Sequence, residues 1–115
     1  MEEMVADELR EMGIDFIPEA AIGNQSLDFL LPQLTVAIEV DSRFWHSSAR
    51  AKAQDARKDR ALERAGVALI RLDAEGDLDA VKACLLRELV QLQLRGAKSS
   101  EPRELIERLS AMTSR

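Results

Sequence analysis

The chain is 115 residues long, carries a formal net charge of −5 and has one cysteine. That length holds a single domain with one core, and no apolar run approaches the roughly 20 residues a membrane-spanning helix needs. The lone Cys84 excludes an internal disulfide and points to a reducing, cytoplasmic setting, and the acidic, amphipathic N-terminus does not read as a signal peptide.

The charge is unevenly placed. Residues 1–41 hold ten acids and one base, whereas residues 42–64 hold seven bases and three acids. An acidic module carrying one basic segment fits a metal site beside a phosphate track. The plainer reading of the basic segment is a solvated helix face of mixed charge.

In chain order, residues 2–12 predict a helix, with Val5, Leu9 and Met12 on one face and Gly13 at its end. Glu2 sits on that apolar stripe, where an acid in the first turn also suits the helix dipole. Residues 14–22 predict an irregular or edge strand interrupted by Pro18. Gly23-Asn24-Gln25 reads as a turn.

Two apolar runs follow, Leu27–Leu31 and Val36–Val40, flanking a turn at Pro32–Thr35. A four-residue turn pairs Leu31 with Val36 and Leu30 with Ala37, and brings Asp28 opposite Glu39. Opposed residues of an antiparallel pair share a face at roughly 5 Å between Cβ atoms. Asp41, two residues past Glu39, points the same way. Three carboxylates on one face of a hairpin destabilise it unless something positive sits among them. A hard divalent cation such as Mg²⁺, with Mn²⁺ as substitute, meets that need through oxygen ligands. The competing reading is an exposed strand edge kept soluble by its acids, but VAIEV reads as a central strand.

Beyond Val40 lies Phe44-Trp45-His46, with the only Trp and the only His of the chain. His46, close to the carboxylates, suits a general base near neutrality, although a lone His is more often a hydrogen-bonded structural residue. Trp45 offers a stacking face for a base, or packs on the first helix. Ser47 or Ser48 can cap a helix running to Ala65, ended by Gly66. On it Asp55, Asp59 and Leu62 share one stripe that faces the sheet. Arg50, Arg57 and Arg64, with Arg60 beside them, form another, the candidate phosphate face.

Val67–Leu72 predicts a strand buried on both faces, parallel to its neighbour through the helical crossover. Asp77 or Asp79 starts a helix to about Arg95. After the linker 97–100, residues 101–112 predict an amphipathic helix that either folds back on the domain or docks on a second copy as a homodimer. The division expected is a domain at 1–95 with a linker and helix at 96–115.

The resulting order is αβββαβ with helical additions. It is that of the restriction-endonuclease-like fold, an α/β class with a mixed central sheet flanked by helices and extra C-terminal helices. The motifs agree. Glu2-x-x-Val5-x-x-x-Leu9-Arg10-x-x-Gly13, Ile22-Gly23 with Leu27-Asp28-Phe29-Leu30-Leu31-Pro32, Ile38-Glu39-Val40-Asp41, and Asp55-x-x-Lys58-Asp59-x-x-Leu62-x-x-x-Gly66-x-x-Leu69-Ile70-Arg71 follow one another over residues 2–71. In this the chain resembles the Vsr-like endonuclease domains of the PD-(D/E)xK superfamily. Phe44-Trp45-His46 is closer to the very-short-patch mismatch-repair endonucleases and the EDxHD homing endonucleases.

The resemblance implies Mg²⁺-dependent hydrolysis of a DNA phosphodiester, by nicking or strand cleavage, in repair or on a mobile element. It makes Asp28 the central metal ligand, and Glu39 and the Val40 carbonyl further ligands. His46 becomes the activator of water, Asp55 its orienting group and Glu2 a support. Arg43, Trp45, Arg50, Arg57, Arg60 and Arg64 are the expected DNA contacts. The lysine of E-x-K is absent and Asp41 holds its place, so a lysine-assisted mechanism is not expected. Ser42 replaces the usual Gly, and Glu19 and Lys58 stand where relatives often have Gln and Arg. The alternative function is a catalytically silent, nuclease-like module that binds DNA or a protein.

Overall fold

The structure is a computed structural model that describes residues 1–23, 25–41, 49–96, 99 and 101–113, and only the backbone of 50–52, 54, 55 and 113. Helix α1 spans Glu2–Glu11. Strands β1 (Ile17–Ile22), β2 (Gln25–Leu31) and β3 (Val36–Val40) follow. Helix α2 (Ala49–Arg64) leads to β4 (Ala68–Leu72), and α3 (Leu78–Leu94) and α4 (Pro102–Thr113) complete the chain. This is the expected αβββαβ core with added helices.

Local chemistry sets the element ends. After α1 the Gly13 N–H donates to the Arg10 carbonyl at 3.1 Å and the Ile14 N–H to the Leu9 carbonyl at 2.9 Å. That closure needs a left-handed residue, and Gly13 supplies it at φ 70° without a Cβ penalty. Gly66 ends α2 the same way, with the Val67 N–H on the Leu62 carbonyl at 2.8 Å. The Asp77 carboxylate caps α3 by accepting from the Ala80 N–H at 3.1 Å.

The sheet order is β1-β2-β3-β4, with the first two pairings antiparallel and β3–β4 parallel. The hairpin register is the expected one: Leu31 pairs with Val36, Leu30 with Ala37 and Phe29 with Ile38. Val36 to Val40 are all buried or half-buried, so β3 is the central strand its composition implies. Strand β4 departs from expectation. It lies at the sheet margin and mixes half-buried with buried residues, because the crossover through α2 sets it beyond β3 with no further strand outside it among the described residues.

Helices cover both faces. Under α1 and α3 lie Val5, Leu9, Phe29, Ile38, Ile70, Leu85 and Leu89. Under α2 and α4 lie Ile22, Leu27, Leu30, Ala37, Leu62, Leu105 and Leu109. The buried carboxylate of Glu8 on α1 is paired across the first core by Lys82 of α3 at 3.0 Å. Cys84 is half-buried. None of the described helices is long and apolar enough to cross a membrane.

Helix α4 folds back on its own domain. Leu105 and Leu109 are 1% and 0% exposed, and the Gly23 N–H donates to Ser110 Oγ at 3.0 Å. Its apolar stripe is therefore used within the chain. Leu109→Ala is expected to cost about 2–5 kcal/mol of unfolding free energy through the lost contacts and the cavity left behind. Denaturant melts of the two proteins measure that difference, and equal midpoints would mean α4 does not belong to the core.

Candidate active site

The hairpin β2–β3 places the acids. Its backbone ladder runs to Phe29–Ile38, and the next opposed residues are Asp28 and Glu39. On the other side of β2, Pro18 pairs with Phe29 and Ala20 with Leu27, while Glu19 between them turns to φ 48°. Leu27 and Phe29 join opposite cores although only two residues apart, so side-chain alternation along β2 slips at Asp28.

Where the ladder stops, side chains take its hydrogen bonds. The Val40 N–H donates to Asp28 Oδ2 at 2.7 Å, and the Asp28 N–H lies 3.4 Å from Glu39 Oε2. The two carboxylates are thus seated by each other's strands. A backbone N–H on an Asp oxygen is a charge-assisted bond that holds the carboxylate in one orientation.

Two cations line the space beside these acids. Lys58 of α2 donates from Nζ to Glu39 Oε1 at 2.6 Å and to the Ser26 carbonyl at 3.0 Å. Burial pushes the Glu39 carboxyl above its usual range, with the Asp28 charge adding to the shift and the Lys58 ammonium opposing it. Arg71 of β4 is in parallel register with Glu39 and is held by Asp59 through two bonds of 3.3 and 3.2 Å. Consecutive residues of one helix, Lys58 and Asp59, therefore pin charged groups on β3 and β4.

Together these residues line a cleft of about 320 Å³ whose walls are Glu2, Ser26, Asp28, Glu39, Val40, Asp41, Lys58 and Arg71. Four acids face two cations in it. Among the described residues no three His, Cys, Asp or Glu side chains come close enough to enclose a metal ion on their own. The cleft offers oxygen donors and an excess of negative charge rather than a closed cage.

Five of the expected site residues, Glu2, Asp28, Glu39, Val40 and Asp41, meet in this one cleft. Arg43, Trp45 and His46 lie outside the described residues, as do the side chains of Arg50 and Asp55. Arg57, Arg60 and Arg64 line a different groove, between α2 and α4. A lysine from elsewhere in the chain nonetheless reaches one of the carboxylates, Glu39. The E-x-K position is indeed Asp41, but a helix packed over the strand delivers Lys58 to the same carboxylate. Its spacing carried a signal: Lys58 stands one turn before Leu62, the residue expected to face the sheet. Arg71 had a similar one, since strand alternation sets it on the same face as Leu69.

A family model, REase_MTES_1575, matches residues 1–78. The chain belongs to that family. Its name is that of a restriction-endonuclease-like family of nucleases, and the four-stranded mixed sheet flanked by helices is consistent with that fold. In this REase_MTES_1575 chain the match takes in every residue lining the cleft, from Glu2 to Arg71, and leaves α4 beyond its end. No curated protein and no solved structure matches the chain.

Proposed function

We propose that the protein is a metal-dependent DNA endonuclease of the Vsr-like kind that hydrolyses phosphodiester bonds. The observation that carries this reading is the cleft in which Asp28 and Glu39 face each other across the hairpin end with Lys58 on Glu39 Oε1. An isolated pair of acids would repel there, and a structural pair would not need an open, polar cleft beside it.

The donor set fits Mg²⁺, with Mn²⁺ as substitute. Mg²⁺ is typically held by one or two carboxylates plus water and substrate phosphate, not by an all-protein cage. Asp28, Glu39 and the Val40 carbonyl are the residues that would hold it. When bound, the ion supplies a Lewis acid that polarises the phosphate and stabilises charge on the leaving oxygen.

The protein's own groups do the rest. Asp28 is fixed by the Val40 N–H, so its carboxylate is presented at the cleft with little freedom to lose. Lys58 opposes the upward push of burial on the Glu39 carboxyl, and its ammonium, at the edge of the cleft, can donate to a phosphate oxygen or to the attacking water. His46, oriented by Asp55, is the base that takes the proton from that water; Glu2 and Asp41 add negative charge at the cleft wall. Arg71, held by Asp59, adds fixed positive charge beside Glu39.

The test is nicking of a supercoiled plasmid with Mg²⁺, Mn²⁺ or EDTA, by the intact protein and by His46→Ala. Metal-dependent relaxation that falls at least tenfold in His46→Ala supports both the reaction and its base, since general-base catalysis contributes typically 10²–10⁴-fold. Relaxation unchanged in His46→Ala leaves the water to Lys58. No relaxation by folded protein on supercoiled, mismatched or single-stranded DNA would reject the nuclease in favour of a silent binding module.

A further inference from the structure

Helix α2 has a second charged face that the cleft does not use. Arg57, Arg60 and Arg64 line a groove of about 520 Å³ against α4, whose floor and far wall are Ala61, Ala111 and Met112. No acid lines it among the described residues. All three arginines are exposed, and none of them has a carboxylate within ion-pair distance among the described residues. Lys58, Arg10, Arg71 and Lys82 are each matched to an acid by contrast. Other arginines of the chain also lack an acid partner among the described residues, but these three share one groove with no acid in its lining, a local positive patch suited to a polyanion.

The spacing fits a strand and not a single anion. Positions 57, 60 and 64 lie on one helical stripe, about 10 Å from first to last at 1.5 Å per residue. Successive phosphates of one DNA strand rise about 3.4 Å along the duplex axis and lie farther apart along the winding backbone, so the stripe is long enough to meet about two or three of them in a row. Helix α2 lines both the groove, through Arg57, and the cleft, through Lys58.

We propose that the groove between α2 and α4 is a DNA-backbone site. In it Arg57, Arg60 and Arg64 bind successive phosphates of the strand that runs out of the cleft, and α4 forms the opposite wall. The identity of the polyanion rests on the nuclease reading; the site itself rests on the arginines and the groove. Because α4 lies beyond the family match, this wall is an addition to the matched core. The contacts are to phosphate, so they set grip and register and not base sequence.

The experiment is DNA binding by the full chain, followed by fluorescence anisotropy on a short labelled duplex in EDTA, across a series of salt concentrations. The variants are Arg60→Ala, Arg57→Ala/Arg60→Ala/Arg64→Ala, and Met112→Glu, which places a negative charge in the α4 wall. Each lost phosphate contact is expected to flatten the slope of log affinity against log salt by about 0.9, so the triple variant flattens it by about 2.7. Met112→Glu should weaken binding about tenfold at low salt while the melting temperature stays unchanged. Triple-variant and Met112→Glu proteins that bind with wild-type affinity and slope would overturn the site, as would a wild-type protein with no affinity for the duplex at low salt. The two readings separate cleanly. Wild-type cleavage with unaltered binding by the variants removes the groove and keeps the nuclease. Arginine-dependent binding without cleavage of any substrate keeps the groove and removes the nuclease.

Discussion

Asp28→Asn is expected to slow metal-dependent cleavage about a thousandfold or more, equivalent to ~4 kcal/mol of transition-state stabilisation. The substitution is nearly isosteric. The amide oxygen of Asn can still accept the Val40 N–H, which now bonds Asp28 Oδ2 at 2.7 Å, so the hairpin end keeps its backbone anchor. What disappears is one negative charge facing Glu39. In the metal-free protein that loss relieves repulsion, because the Asp28 charge is one of the causes raising the Glu39 pKa. The metal-free melting temperature should therefore stay level or rise slightly. With Mg²⁺ the order reverses: the wild type gains stability by mass action on its folded state, and the variant does not. Plasmid nicking and thermal melts with and without Mg²⁺ read both effects. A variant that still cleaves at the wild-type rate would remove Asp28 from the reaction.

Lys58→Met is expected to destabilise the metal-free protein by about 3 kcal/mol, the scale of breaking a buried ion pair from one side. The side chains of Lys58 and Glu39 are only 16% and 9% exposed, and the ammonium sits 2.6 Å from Glu39 Oε1. Without it the Glu39 carboxylate is left desolvated, with Asp28 as a like-charged neighbour. Adding Glu39→Gln should recover much of the loss, because no uncompensated charge then remains; a double-mutant cycle measures the coupling. The pH dependence has a definite sign. The folded-state pKa of Glu39 is raised already, and removing Lys58 raises it further. A carboxyl with a raised folded pKa binds its proton more tightly folded than unfolded, so stability grows as pH falls. The Lys58→Met deficit should be largest at neutral pH in EDTA and shrink on acidification toward the usual carboxylate range. A deficit that does not change with pH would mean that Lys58 acts through packing of its stem and not through its charge. In the nicking assay the same variant should lose activity, since both Glu39 and the phosphate lose a neighbouring cation.

The two faces of α2 explain how one short helix serves a small nuclease-like domain. Lys58 and Asp59 look into the sheet and fix Glu39 and Arg71; Arg57, Arg60 and Arg64 look toward α4. Ion pairs at an exposed helix surface are worth little, and Arg71–Asp59 is half-exposed on the Asp59 side. Its part is orientation: a forked guanidinium held by both carboxylate oxygens keeps one direction beside the cleft.

Residues close in the chain set the local frame. Gly13 and Gly66 end their helices because each supplies a left-handed residue where a following N–H must reach back. The four-residue turn at Pro32–Thr35 sets the hairpin register from Leu31–Val36 to Phe29–Ile38, which leads Asp28 and Glu39 toward each other at the hairpin end, where side-chain bonds to the facing backbone seat them. The helix between β3 and β4 makes their pairing parallel. All of these depend on residues close in the chain. Residues 42–48, including the expected base His46, lie outside the described residues. Only the tertiary structure decided which faces meet. Periodicity told that Lys58 and Leu62 share a side of α2, but not that docking carries Lys58 onto Glu39. Nor did it tell that β4 closes the sheet at its margin and sets Arg71 level with Glu39, or that α4 returns over the sheet to make a groove with the arginines. The reason is physical. Hydrogen bonding and rotamer geometry within one element fix the direction of a side chain relative to that element. The partner it meets is fixed by burial of apolar surface between elements far apart in the chain, here Leu62, Leu105 and Leu109 on one sheet face.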